Sequence, residues 1–376
     1  MKTIVFVLNN IDHAGGTQRV LVNVANRLCR YPAVRVQVVY FTGQNRCSFP
    51  LDDAVERVKL ECSNRKRWFW TPIRWTSTGF SLRRYLRSLV GPVDVLPIWV
   101  DYGAVTAMFC AGLDIRTFAC DHMSYPNVGS LPWRILRRFF YRRLTGVVSL
   151  TEEDIPNYQR IAKEVVWIPN FLTETPARRA PLRGARMLAI GHCVPRKGFD
   201  RLLHGMAKLR QNRSDWSLRI ISGGGDSIID EKYLGHLLDL MRAYRLEDHV
   251  EFVPETDAIE AEYLAADLYV MGSHAEGLPM VLLEAKAMGL PIVAYDCATG
   301  PRTIVRDGVD GFVVDDARSF ALRIEELLSD DERRRAFGIA AQEDFVARFT
   351  PDSVVPRWER LLELTPAQSS SPAPAA

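Results

Sequence analysis

Short apolar runs alternate with amphipathic stretches along the chain, and the pattern occurs twice. The first series opens with TIVFVL (3–8), passes through the loop DHAGGTQ and enters a helical pattern from about Arg19 to Arg30. It continues with VRVQVVYF (34–41), VDVLPIWV (93–100), RTFACD (116–121), TGVVSL (145–150) and VVWIPN (165–170), with helical stretches between. The second series starts at RMLAIG (186–191), with a helix from Asp200 to about Arg210. It repeats the grammar in WSLRIISGGG (216–225), HVEFVP (249–254), DLYVMGS (267–273), LPIVAYD (290–296) and GFVVDD (311–316). Short apolar strands separated by helices predict parallel sheets, so the chain reads as α/β: two doubly wound, Rossmann-like domains joined near Asn170–Arg186. The expected boundaries are 1–175, 176–348, a last helix within 349–366 and a tail, 367–376, with the composition of a disordered end.

Composition narrows the class. A chain of 376 residues exceeds one ordinary core, and 47% hydrophobic with 25% charged residues is globular. No apolar run approaches the ~18 residues of a spanning helix, and MKTIVFVLNNIDHAGG reads as a first strand rather than a leader. Seven scattered cysteines without a C-x-x-C pair argue against a disulfide framework or zinc site and suit a reducing cytoplasm. Residues 1–180 hold 25 Lys and Arg against 14 Asp and Glu, and the remainder 23 against 31. The net charge of +3 therefore divides into +11 and −8, so the two halves do different work.

In open α/β sheets ligands bind beyond the carboxyl ends of strands, and three such loops stand out. GHCVPRKGFD (191–200) sets Lys197 beside Gly198 at a helix entrance, which suits a diphosphate, although a plain solvated turn has the same form. SGGGD (222–226) permits close backbone approach, but it completes no dinucleotide fingerprint. SHAEGLPMVLLEAKAMGLP (273–291) places Glu276 before a helix expected from Pro279 to Met288, and Glu284 inside it. The free amides at 277–280 make an anion site. Glu284 lies too deep to cap the helix, so a vicinal diol is one partner for it, and a salt bridge to a nearby Arg or Lys is the other.

The E-x7-E spacing with G-L-P after its first acid resembles the signature of retaining glycosyltransferase family 4, whose fold is GT-B. Other blocks agree in order: GGTQRVLVNVANRL (15–28), CDHMSY (120–125), VVSLTEEDIPNYQRI with VVWIPNFL, and TGPRTIVRDGVDGFVV (299–314). The resemblance covers about residues 1–365 and implies that the last helix, with Trp358, crosses back to the N-terminal domain. It implies that Glu284 holds the ribose of a nucleotide sugar and that Glu276, Gly277, Leu278 and Pro279 lie by the sugar and phosphates. Lys197 would neutralise the diphosphate, Gly16 would approach from across the cleft, and His122 would reach the transferred sugar. His192, Gly224 and Val253 complete the expected donor site, with His13, Gly15 and Gly16 toward the acceptor. Asn170 and Thr151 would hold the hinge between domains. The catalytic set is thus His122, Glu276 and Lys197.

Three positions depart from the family pattern. His192 replaces its usual Arg, so donor binding would weaken above the imidazole pKa if the ring faces the diphosphate. Gln18 and Thr303 replace glutamates. No D-x-D motif is present, so no metal and no other cofactor is expected, the nucleotide sugar being a co-substrate.

In the basic half, RKRWFWTPIRW (65–75), SLRRYLRSLV (81–90) and PWRILRRFFYRRL (132–144) interleave Arg with aromatics. This suits an anionic membrane surface, with ordinary helix surface as the alternative; no nucleic-acid partner is expected. The resemblance then implies a retaining hexosyltransferase at the inner face of the cytoplasmic membrane. It would move a hexose or N-acetylhexosamine from a UDP-sugar, or secondly a GDP-sugar, to a polyprenyl-diphosphate-linked glycan of a bacterial surface polysaccharide. An epimerase or sugar phosphorylase on the same fold, or a non-catalytic scaffold, are the alternatives.

Overall fold

The structure, a computed structural model, describes residues 1–12, 15–62, 72–127, 131–222 and 228–365, without the side chains of 72–74 and 133. His13, Gly224, residues 65–71 of the first basic stretch and the 367–376 tail lie outside the described residues.

Two parallel sheets form the frame. The first is built from β1 (Lys2–Asn10), β2 (Val34–Thr42), β3 (Val55–Lys59), β4 (Val93–Pro97), β5 (Arg116–Cys120), β6 (Gly146–Ser149) and β7 (Val165–Trp167). Its spatial order is β3-β2-β1-β4-β5-β6-β7. The second holds β8 (Arg186–Ile190), β9 (Ser217–Ile221), β10 (Val250–Val253), β11 (Leu268–Met271), β12 (Ile292–Tyr295) and β13 (Gly311–Val314), in the order β10-β9-β8-β11-β12-β13. The near-continuous burial of β1, β4, β11 and β12 is what parallel strands covered on both faces require.

Both orders reverse direction at one place, between β1 and β4 and between β8 and β11. A doubly wound sheet opens its crevice at that switch point. The loops leaving β1, β8 and β11 carry Gly15–Gly16, His192–Lys197 and Glu276–Pro279, so topology brings together motifs that lie far apart in sequence.

The last helix, Pro351–Leu361, does cross back. Its neighbourhood ties to the first domain through Tyr31 to Glu359, Lys2 to the Leu362 carbonyl, and Arg357, which donates to the Trp167 carbonyl at 3.3 Å. Arg357 also stacks 4.3 Å from the Trp167 ring, and Trp358 is buried. Where the two domains join, Asn170 Nδ2 donates to the Leu278 carbonyl at 3.0 Å, and the Leu172 amide to the Phe349 carbonyl at 3.2 Å. Thr151 is buried nearby, its carbonyl accepting from Ser149 Oγ at 2.7 Å.

Candidate active site

Glu276 is held inside its own domain. It is 6% exposed, and its Oε1 accepts from Lys197 Nζ at 2.7 Å and Ser273 Oγ at 2.8 Å. Oε2 lies 3.4 Å from Arg196 Nη1. Burial opposes ionisation, but Lys197 and Arg196 outweigh it and hold the carboxyl below its ordinary value. The loop is fixed from behind by Thr299 Oγ1, which donates to the Glu276 carbonyl at 2.9 Å.

Lys197 ends a short turn, Pro195–Lys197, and Gly198 follows in the left-handed region at φ +61. A side chain at Gly198 would collide with the Gly272 carbonyl, so glycine lets the phosphate-loop candidate close onto the β11 loop. His192 is half-buried, and its Nδ1 accepts the Ile228 amide at 3.1 Å. Burial, then Lys197 and Arg196, push its pKa down from the ordinary imidazole value. One ring nitrogen is thus taken by the backbone, beside the two cations of the Arg196–Lys197 turn.

The second carboxylate is held differently. The helix carrying it runs Met280–Ala287, so Pro279 stands at its N-cap with extended backbone rather than at the first helical position. Glu284 Oε2 accepts from Tyr263 OH at 2.6 Å, and Oε1 accepts from Arg19 Nη1. Arg19 sits on the opposite domain, in helix Gly16–Leu28, and Gly16 at its start faces Met280. The salt bridge thus exists, but it spans the cleft and does not lie along the helix surface.

His122 follows β5, half-buried, and burial pushes its pKa down to about 4. A Cβ at Gly277 would come within 2.5 Å of the His122 carbonyl, so the two loops touch backbone to backbone across the cleft. Behind it, the buried Asp121 accepts from Tyr141 OH at 2.6 Å and Tyr158 OH at 2.9 Å, with Arg137 at 3.9 Å. Arg137 belongs to the expected basic surface, yet it is 2% exposed and stacks 3.6 Å from the Tyr125 ring centroid. That residue is structural, because its helix turns one face inward.

The family pattern "Glycosyl transferases group 1" matches residues 173–344. An uncharacterized glycosyltransferase of Haemophilus influenzae is 31% identical over 83% of this chain and 86% of its own. The chain belongs to the group 1 glycosyltransferases. The amylovoran biosynthesis glycosyltransferase AmsD of Erwinia amylovora is 29% identical over 96% of this chain and all of its own. Anabaena HepE, solved in complex with UDP and glucose, superposes with a TM-score of 0.78 over 96% of this chain and 99% of that one. At 16% identity it establishes the shared fold, GT-B.

The remaining expected positions of this glycosyltransferase spread around the crevice. Leu278 is buried and bound through its carbonyl to Asn170. Val253 ends β10 half-buried, its carbonyl accepting the Ser222 amide at 2.9 Å. Gly15 is the N-cap of helix Gly16–Leu28. Thr303, in the place of a family glutamate, donates to Glu153 of the other domain. Sequence reading did not single out Arg19, Arg196 or Tyr263. The first two sit inside quoted motifs beside assigned residues, so each lay within reach; Tyr263 had no local signal.

Proposed function

We propose that this glycosyltransferase transfers a hexose or N-acetylhexosamine, with retention and without a metal, from a UDP-sugar to a polyprenyl-diphosphate-linked glycan during surface-polysaccharide synthesis. A GDP-sugar is the second donor choice. The observation that carries the reading is the convergence of Glu276, Lys197 and Glu284 on one crevice, with His122 and Arg19 opposite. Glu284 takes the ribose, Glu276 lies by the sugar, and on donor entry Lys197 turns from Glu276 to the diphosphate. Charge develops on that leaving group as the anomeric bond breaks, and Lys197 with the 277–280 amides meets it. The donor phosphate accepts the acceptor's proton on the same face. The amylovoran role of AmsD supports the polysaccharide context.

Membrane contact is supported by helix Leu131–Phe140. Leu131, Ile135 and Phe139, four residues apart, are 69%, 49% and 68% exposed on one face, and Arg134 and Arg138 are exposed beside them. No helix among the described residues is long and apolar enough to cross a membrane, so the contact would be peripheral.

A panel of nucleotide sugars in thermal-shift and hydrolysis assays tests the donor, and anomeric NMR of the product tests retention. No stabilisation by any nucleoside diphosphate overturns the transferase reading. Interconversion of the donor incubated alone indicates an epimerase.

A further inference from the structure

We propose that Arg196 is a second diphosphate-binding cation of the donor site, an assignment that rests on the donor-site reading above. Lys197 is paired with the buried Glu276, so those two groups sum to zero charge. A diphosphate brought into that crevice needs further positive charge nearby. His192 does not supply it, since its Nδ1 accepts a backbone amide. Arg196 does. Its Nη1 donates to the Ala275 carbonyl at 2.9 Å and reaches Glu276 Oε2 only at 3.4 Å, too long for a strong charge-assisted bond. Nε and Nη2 make no hydrogen bond to the described residues, and the side chain is 38% exposed. A guanidinium with spare donors and its charge only loosely compensated is matched to phosphate oxygens. Arg196 thus raises the sum over Glu276, Lys197 and itself to +1.

The alternative is that Arg196 only braces the loop at Ala275. Calorimetric titration of the full chain with UDP, GDP, inorganic pyrophosphate, uridine and guanosine separates the two. Arg196→Met is expected to weaken the diphosphates and pyrophosphate about tenfold, the cost of one hydrogen bond to a charged group, and to leave the nucleosides unchanged. His192→Arg in the Arg196→Met background is expected to restore most of the loss, because it returns a cation to the same cluster. Equal weakening of nucleosides and diphosphates, unchanged diphosphate binding in Arg196→Met, or no recovery in the double variant overturns the role of Arg196 alone. A wild-type chain that binds neither nucleoside diphosphate overturns the donor-site reading as well.

Discussion

Both oxygens of Glu284 are occupied, and this has a measurable consequence. A ribose diol that takes this carboxylate must displace a partner. Tyr263 is buried, its phenol pushed far above its ordinary pKa by burial and then by Glu284, and it stays. Arg19 is the group that leaves: its side chain is 39% exposed, against 13% for Glu284. An ion pair so open to water is worth about 0.3–1 kcal/mol. Arg19→Met keeps the apolar stem and removes that competitor, so nucleoside diphosphate affinity is expected to rise about two- to fivefold. Isothermal titration with UDP and GDP reads the change. Pyrophosphate, which has no ribose, is the control and is expected to bind Arg19→Met as it binds the wild type. Unchanged or weaker nucleotide binding, or an equal change for pyrophosphate, would refute the competition.

Other outcomes follow from the same structure. Lys286 is wholly buried against Asp310 at 3.0 Å and Asp344, and burial holds its pKa down despite both acids. Lys286→Met is expected to cost about 3 kcal/mol in urea unfolding, the lower end for breaking a buried pair because Arg306 and Arg348 still face the acids; a loss below about 1 kcal/mol refutes it. The folded-state pKa of His122 lies near 4, below the ordinary 6.5, so the unfolded chain binds more protons between those values and stability falls as pH drops through that window. His122→Asn is expected to flatten that part of the stability–pH curve, and an unchanged slope counts against a desolvated imidazole. His122→Ala should chiefly lower turnover and Glu284→Ala chiefly weaken nucleotide binding; wild-type activity in both removes the site assignment. Phe139→Glu, on the exposed helix face, should abolish sedimentation with phosphatidylglycerol vesicles while leaving donor hydrolysis unchanged; retained sedimentation removes the membrane surface.

Legibility in the sequence followed burial and range. Strands such as Ile292–Tyr295 are apolar throughout because both faces are covered, and their runs stand out. Val55–Lys59 was not foreseen: VERVK is an edge strand with three charged residues in five, and no apolar run announces it. The motifs single out Glu276 and Lys197, and the structure pairs the two at 2.7 Å. Glu284's partner was not legible, since Arg19 lies 265 residues away and meets it only through the order of the strands. Lys286 was hidden for the same reason, its acids lying on the Asp310 loop and on helix Asp331–Arg348.

The two carboxylates therefore differ in what they depend on. Every described partner of the Glu276 side chain, namely Lys197, Arg196 and Ser273, comes from the second domain, so its position does not depend on the first. Glu284 takes one partner from each domain, so one of its bonds exists only when the domains are close. A ligand that replaces Arg19 removes a cross-cleft bond and must supply its own bridge, and the contact of Gly277 with the His122 backbone is another place where the domains touch at the site. Any bulk added at Gly277 would wedge the loops apart there while leaving both carboxylates in place. Gly277→Ala should thus lower turnover more than it weakens nucleoside diphosphate binding, and an equal loss of both would mean that the donor does not need that contact to react.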